Sequence, residues 1–179
     1  SNAVFPALIK LLSDGNEVIR GHAAEAIGRM ASEGVTSNAV FPALIKLLSD
    51  GNEGVRGRAV NAIAGMAIEG IISKDALYHL IRLLEDNNNY VRQFAALAIG
   101  EMANEGGVTS KGALIPLIKL LEDNDEYGRK WAAYAIGNMA SKGVTCTAAF
   151  LPLSRLLSDE NEDVREMAED AIRRVDLNL

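Results

Sequence analysis

Histidine, cysteine and hydroxyl side chains most often carry out catalysis, and their spacing in this chain supports no such chemistry. The two histidines, His22 and His79, fall on different helices of the pattern described below and have no neighbouring metal ligands. The sequence shows no Ser-His-Asp or Cys-His arrangement, and its glycines form no phosphate-binding loop. We therefore expect a protein that is not an enzyme and that uses no cofactor and no metal ion.

The charge and composition of the 179 residues narrow the class of protein further. Hydrophobic residues make up 49% of the chain but aromatic residues only 5%, which favours closely packed helices over sheets. The net charge of −6 disfavours a nucleic acid partner, because phosphates require a clustered basic face. The single cysteine, Cys146, cannot form an internal disulfide, and no apolar run is long enough to span a membrane. We expect no membrane partner and a cytoplasmic location.

An internal repeat dominates the sequence. The segment Val4–Glu17 recurs unchanged as Val40–Glu53, which sets a period of 36 residues. Weaker matches follow the same period, with one extra residue at Gly106-Gly107. One set of matching positions holds Leu8, Leu44, Leu80, Leu117 and Leu153, and another holds Arg20, Arg56, Arg92, Arg129 and Arg165.

Each repeat predicts two helices, which we call helix A and helix B. Helix A is amphipathic, with residues such as Leu44, Ile45 and Leu48 beside a basic residue. Helix B should begin after a side chain that accepts hydrogen bonds from its first-turn amides, and it should end at a glycine. The predicted N-caps of helix B are Asn16, Asn52, Asn88, Asp125 and Asn161. The predicted caps of the next helix A are Ser37, Ser73 and Ser110, and Cys146 stands at the same position of the last linker.

The pattern resembles the HEAT-like repeats, including those of phycobilisome-lyase-type proteins, over the whole chain. The residues that carry the resemblance are of the Asp14 and Arg20 type, together with the segment Ala23-Ala24-x-Ala26-Ile27-Gly28 and its later copies. The resemblance implies an all-α fold, a right-handed α-α superhelix (solenoid) of five two-helix repeats, akin to the armadillo-like superhelices. We expect one domain over residues 1–179, with repeats at about 1–36, 37–72, 73–109, 110–145 and 146–179, the last acting as a C-terminal cap.

The resemblance also brings enzymes into consideration. Deoxyhypusine hydroxylases share the repeat but hold iron with His-Glu dipeptides, whereas neither His22 nor His79 is followed by glutamate. DNA glycosylases of this fold need a basic inner face, where this chain carries acidic residues such as Glu25 and Asp163. A bilin lyase-like or other ligand-binding role stays open as an alternative, since an aromatic hollow could hold a tetrapyrrole.

The two ends of the predicted stack differ. A stripe of small residues on helix B should let the next repeat approach closely, but in the fifth repeat this stripe becomes Glu169, Arg173 and Asp176. Ser154 likewise replaces an isoleucine of helix A, so we expect a polar C-terminal cap. The first helix A copies an internal one and should expose an apolar edge. We therefore expect self-association through the N-terminal end, or further repeats beyond it.

Two kinds of position remain on helix B. The resemblance implies that the arginine of each repeat joins an aspartate in a structural ladder between neighbours, the aspartates being Asp14, Asp50, Asp86, Asp123 and Asp159. Beside this constant feature, four columns vary from repeat to repeat, and in HEAT-like solenoids helix B lines the concave surface. Variable columns beside constant ones are free for recognition.

Five of the nine aromatic residues occupy these variable columns, all in the third and fourth repeats. We predict that they form a contiguous patch that binds a peptide or protein segment, since Trp and Tyr are enriched where binding energy concentrates. The alternative is that Tyr90 with Tyr127, and Phe94 with Trp131, stack across neighbouring repeats or form a homodimer contact. The predicted partner-binding residues are Tyr90, Phe94, Leu97, Tyr127, Trp131 and Tyr134. The expected function is a non-catalytic binding scaffold.

Overall fold

The computed structural model describes residues 3–144 and 147–176, apart from the side chain of Asp176. Within these ranges the chain is entirely helical and contains no strand. Five helices are of the A type: α1 (Val4–Leu11), α3 (Phe41–Leu47), α5 (Lys74–Leu83), α7 (Leu114–Leu120) and α9 (Phe150–Leu156). Five are of the B type: α2 (Glu17–Ser32), α4 (Glu53–Ile68), α6 (Asn89–Gly106), α8 (Glu126–Ser141) and α10 (Glu162–Asp176). The all-α solenoid of helix pairs is confirmed.

Short 3₁₀ turns precede three of the A helices, a detail that the sequence pattern did not predict. They span Asn38–Val40, Lys111–Ala113 and Thr147–Ala149. In two of them a serine hydroxyl, that of Ser37 or Ser110, accepts a hydrogen bond from the amide two residues later. The expected cap at Ser73 is wrong, because its side chain makes no capping bond and α5 begins directly at Lys74. The predicted position of Cys146 lies outside the described residues.

The B helices begin and end as the sequence predicts. The side chains of Asn16, Asn52, Asn88, Asp125 and Asn161 accept hydrogen bonds from amides of the first turn. Gly34, Gly70, Gly107 and Gly143 have φ between 60° and 81°, a region that glycine reaches without a Cβ clash. These glycines turn the chain sharply back toward the next A helix.

Neighbouring repeats pack mainly through their B helices. Each B helix lies along the next one over most of its length, whereas successive A helices make few contacts with each other. The B helices therefore form one continuous side of the stack, which we call the inner surface. Small side chains allow this close approach: a Cβ added to Gly28 would lie 3.2 Å from the Cα of Ala62 in the next repeat. The buried core accordingly contains many alanines beside leucine, isoleucine and methionine.

A ladder of ion pairs ties consecutive repeats together along one edge of the stack. In four repeats the arginine donates from Nε and Nη2 to the two oxygens of the next repeat's aspartate, and from Nη1 to a backbone carbonyl in its own repeat. The ladder pairs are Arg20–Asp50, Arg56–Asp86, Arg92–Asp123 and Arg129–Asp159, at 2.7–2.8 Å. Because these side chains are mostly buried, the pairs are stronger than ordinary surface ion pairs. The expected structural role of the arginines is confirmed.

The ladder also changes the acidity of its aspartates. Burial alone would raise the pKa of Asp123, but the hydrogen bonds from Arg92 and from the Asp125 amide outweigh it and lower the pKa. The pKa values of Asp50 and Asp86 are lowered for the same reasons. All three carboxylates therefore stay charged at neutral pH.

Candidate functional site

Five aromatic side chains lie on the inner surface of the third and fourth repeats, and we call them the aromatic patch. They are Tyr90 and Phe94 on α6, and Tyr127, Trp131 and Tyr134 on α8. Tyr90 is 40% exposed and Tyr127 50% exposed. Phe94, Trp131 and Tyr134 are half-buried and pack against the core. The patch therefore combines a fixed base with exposed ring surface.

Two residues of the variable columns differ from expectation. Leu97, predicted to contact a partner, is only 7% exposed and belongs to the core, because it packs with the buried side chains between the helices. Asn138 is buried, where its amide donates to the carbonyl of Gly100 at 3.2 Å and its side-chain oxygen accepts from Arg174 at 2.6 Å. Both residues support the inner surface from below.

Glycines in the preceding repeat make room for two of the rings. A Cβ added to Gly57 would lie 3.0 Å from the ring of Tyr90, and one added to Gly100 would lie 2.6 Å from the ring of Tyr134. Each ring thus rests on the exposed backbone of the B helix before it. Tyr90 and Tyr134 are therefore held in place by the junctions between repeats.

The ring-to-ring contacts of the patch run within each helix. Tyr90 and Phe94 have ring centroids 4.6 Å apart, and Trp131 and Tyr134 meet edge to face at 5.7 Å. The pairs proposed to stack across repeats, Tyr90 with Tyr127 and Phe94 with Trp131, are not the pairs that the structure brings together. The exposed parts of these rings are therefore not stacked on each other across the junction between the third and fourth repeats.

Polar contacts link the fourth repeat to its neighbours on both sides. The hydroxyl of Tyr134 donates to Glu101 at 2.8 Å, and burial together with this carboxylate raises the pKa of Tyr134 to about 12. The ammonium group of Lys130 lies 5.0 Å from the centroid of the Trp131 ring and contacts Asp163 at 2.6 Å. Sequence reasoning missed Lys130 because its column was not among the variable ones.

Two grooves flank the patch. One, of about 380 Å³, lies between the fourth and fifth repeats and is lined in part by Tyr134, Met167, Glu166 and Asp170. The other, of about 410 Å³, lies between the first three repeats. Its lining includes Glu25, Arg58, Asn61 and Tyr90. The lining of the 380 Å³ groove also includes Lys130, Asp163 and Arg174, and the ion pairs Lys130–Asp163 and Arg174–Asp170 lie along it. Both grooves are therefore polar and carry charges of both signs.

The described residues contain neither a metal-binding cluster nor a membrane-spanning helix. Residues 3–144 and 147–176 contain no group of three or more His, Cys, Asp or Glu side chains that could hold a metal ion. None of the helices in this part of the chain combines the length and apolar character needed to cross a bilayer.

Comparison with known proteins identifies the family to which this stack of helix pairs belongs. The family model for HEAT repeats matches residues 2–63 and 41–137. The chain belongs to the HEAT repeat proteins. None of the curated protein sequences compared with this HEAT repeat chain is a significant match.

Solved structures of the same fold are similar over nearly the whole HEAT repeat chain. A designed armadillo repeat protein is 33% identical, with a TM-score of 0.80, over 94% of this chain and 80% of its own. Another, described as computationally designed for modular peptide recognition, is 32% identical, with a TM-score of 0.80, over 93% of this chain and 80% of its own. A third, in complex with a (KR)4 peptide, is 32% identical, with a TM-score of 0.81, over 94% and 80%.

Proposed function

We propose that this HEAT repeat protein is a non-catalytic scaffold that binds an extended peptide segment along its inner surface. The observation that carries the proposal is the aromatic patch, in which rings anchored on the core keep exposed faces beside two grooves. Rigid aromatic side chains bury large areas at low entropic cost and recur where binding energy concentrates. The proposed contact residues are Tyr90, Phe94, Tyr127, Trp131 and Tyr134; Leu97 belongs to the core.

The charge around the patch favours a basic segment. Four carboxylates lie on or beside the patch, against two cationic side chains, Lys130 and Arg174; the carboxylates are those of Glu101, Asp163, Glu166 and Asp170. Lys130 pairs with Asp163 and Arg174 with Asp170, so the excess negative charge comes from Glu101 and Glu166. The faces of Trp131 and the tyrosines can accept a guanidinium or ammonium group. A structurally similar designed protein is known in complex with (KR)4, and another is described as made for peptide recognition. These likenesses support the proposal of a peptide ligand for this chain.

Binding of a fluorescently labelled (Lys-Arg)4 peptide tests the proposal. Replacing Trp131 with alanine should cost about 2 kcal/mol or more of binding free energy, because it removes the largest ring of the patch. Fluorescence anisotropy measures the affinity, and a thermal melt followed by circular dichroism shows whether the variant is folded. Peptides of equal length with neutral or acidic side chains show whether the charge matters.

The matched control is Tyr78→Ala. Tyr78 is 66% exposed on helix α5, an A helix on the other side of the stack, so its loss should leave the affinity unchanged. Equal binding by folded Trp131→Ala and the natural chain would place the interface elsewhere. Absence of binding to all three peptides would exclude a peptide site of this kind.

A further inference from the structure

The groove between the first three repeats carries a positive charge that no neighbour balances. Its charged lining residues are Glu25, Arg29 and Arg58. The Nε atom of Arg58 lies 3.4 Å from a carboxylate oxygen of Glu25, so these two charges offset each other. The side chain of Arg29 is exposed and forms no ion pair or hydrogen bond within the described part of the chain. This groove therefore offers a guanidinium group that is open to a carboxylate.

The groove between the fourth and fifth repeats has the opposite balance of charge. Lys130 pairs with Asp163 there, and Arg174 pairs with Asp170. Glu166 lines the same groove and is exposed, and among residues 3–144 and 147–176 no cationic side chain pairs with it. This groove therefore offers a carboxylate that is open to a lysine or an arginine.

The aromatic patch joins the two grooves. Tyr90 lines the first groove and Tyr134 lines the second, and both rings belong to the patch. Each B helix packs along the next one, so a segment laid across the inner surface crosses α2, α4, α6, α8 and α10 in turn. The two grooves are therefore the ends of one path, and the unbalanced charges at these ends have opposite signs.

The spacing of the B helices sets the length of a segment that reaches both ends. Packed helices lie about 8–10 Å apart, so the path from α2 to α10 is about 32–40 Å long. An extended chain advances about 3.3 Å per residue, so a segment of about twelve residues covers this path. The (Lys-Arg)4 peptide spans only about 26 Å and cannot contact Arg29 and Glu166 at once.

We infer that the ligand of the inner surface is a segment of about twelve residues whose two ends carry opposite charges. Its acidic end lies in the first groove, where Arg29 donates to a carboxylate, and its basic end lies in the second groove beside Glu166. Uncharged residues between the two ends cross the aromatic patch. The inference rests on the proposed peptide-binding function and adds the order of charges along the peptide. A longer segment that is basic throughout would place a like charge beside Arg29, which opposes binding.

Peptides that differ only in the order of their charges test the inference. Each has the same uncharged centre of two leucines and two serines, with four residues on either side. In the block peptides one side is all glutamate and the other all lysine, in either direction along the chain. In the mixed peptide glutamate and lysine alternate on both sides. We expect the better block peptide to bind the natural chain about fivefold or more tightly than the mixed peptide, as measured by fluorescence anisotropy.

Reversing the charge in the first groove should remove this preference. Arg29→Glu should weaken binding of the block peptide about fivefold or more and change the mixed peptide less. A peptide with lysine on both sides of the same centre should bind Arg29→Glu more tightly than it binds the natural chain. The matched control is Lys10→Glu, because Lys10 is exposed in the same repeat but lies on the A helix α1. It changes the net charge equally and should keep the preference for the block peptide.

The outcomes separate this inference from the proposed function. Circular dichroism melts first show that each variant is folded. Equal binding of the block and mixed peptides overturns the inference, while the peptide site stands if Trp131→Ala weakens both. An effect of Lys10→Glu as large as that of Arg29→Glu also overturns it, because net charge and not position would then decide binding. If no peptide binds, the inference and the proposed function fail together.

Discussion

The ladder edge and the aromatic patch are built on the same B helices but respond to different demands. At the ladder edge, four repeats use the same arginine, the same aspartate and nearly the same distances. On the inner surface the corresponding positions change from Gly54 and Arg58 in the second repeat to Tyr127 and Trp131 in the fourth. The residues that repeat thus hold the stack together, whereas the residues that vary determine which side chains the inner surface presents.

Some variable positions on the inner surface are not available for binding a partner. Asn138 occupies a variable column, yet it is buried and joins the carbonyl of Gly100 to Arg174. Tyr134 is half-buried, its hydroxyl donates to Glu101, and its ring rests on Gly100. The fourth repeat therefore uses part of its variable surface to fasten its neighbours.

Breaking the ladder should give the largest loss of stability with the smallest change in binding. Arg92→Gln removes a bidentate pair and leaves Asp123 mostly buried without its counter-ion, which should cost about 2 kcal/mol of unfolding free energy. Chemical denaturation measures this cost, and the (Lys-Arg)4 affinity of the folded variant should be unchanged.

Arg165→Gln is the matched control for the ladder. Arg165 donates to two backbone carbonyls but, among the described residues, to no carboxylate, so its loss should cost less than about 1 kcal/mol. Similar losses for the two variants would show that the arginines act through carbonyl bonds, and the ion pairs would then contribute little.

The fold could be predicted from the sequence because each repeat states the same pattern again. The N-caps at Asn16 and Asn52, the glycine turns and the Arg20-type column recur at a fixed period, so a chance match in one repeat is corrected by the others. Ser73 shows the limit of this method, since it lies at the N-cap position that its column predicts but its side chain makes no capping hydrogen bond. The 3₁₀ turns escaped prediction because no side-chain pattern distinguishes them from a first turn of α-helix.

The candidate site could be predicted only in part. The columns located Tyr90, Tyr127 and Trp131 on one surface, but helical periodicity does not show how deeply a side chain sits once two helices pack. Leu97 shares a column with Tyr134 and is nevertheless buried. Gly57 and Gly100, which make room for the rings, became visible only when contacts across the repeat junction were known.

A methyl group added beneath the Tyr134 ring should change both the stability of the stack and peptide binding at the aromatic patch. In Gly100→Ala the new Cβ would lie 2.6 Å from the Tyr134 ring and 3.2 Å from the Cα of Ala135, so the ring and the helix must shift. We expect a net loss of about 1–2 kcal/mol of stability, although alanine favours the helix, together with weaker (Lys-Arg)4 binding. Denaturation and anisotropy titrations measure the two effects.

Gly65→Ala is the matched control on the inner surface. Its Cβ would have only the carbonyl oxygen of Gly28 nearby, at 3.7 Å, so the helix should gain about 0.5–1 kcal/mol of stability without disturbing the patch. A stabilising Gly100→Ala would mean that the Tyr134 ring moves aside freely and is not anchored by the junction.

Acid should produce the smallest effect and should act on the ladder alone. Burial opposes charge on Asp123, but its bonds from Arg92 and the Asp125 amide lower its pKa below the unfolded value of about 3.9. A carboxyl group of this kind stabilises the fold above the unfolded pKa, and that contribution is lost as the pH falls through the lowered folded pKa. The stability gap between the natural chain and Arg92→Gln should therefore be constant from pH 7 to about 5 and narrow below about 4. Denaturation curves at each pH measure the gap, with Arg165→Gln as a reference whose gap should narrow less, because Arg165 is the weakest of the influences that lower the pKa of Asp159. A gap that stays constant down to pH 3 would show that the Asp123 carboxylate gains nothing from its arginine.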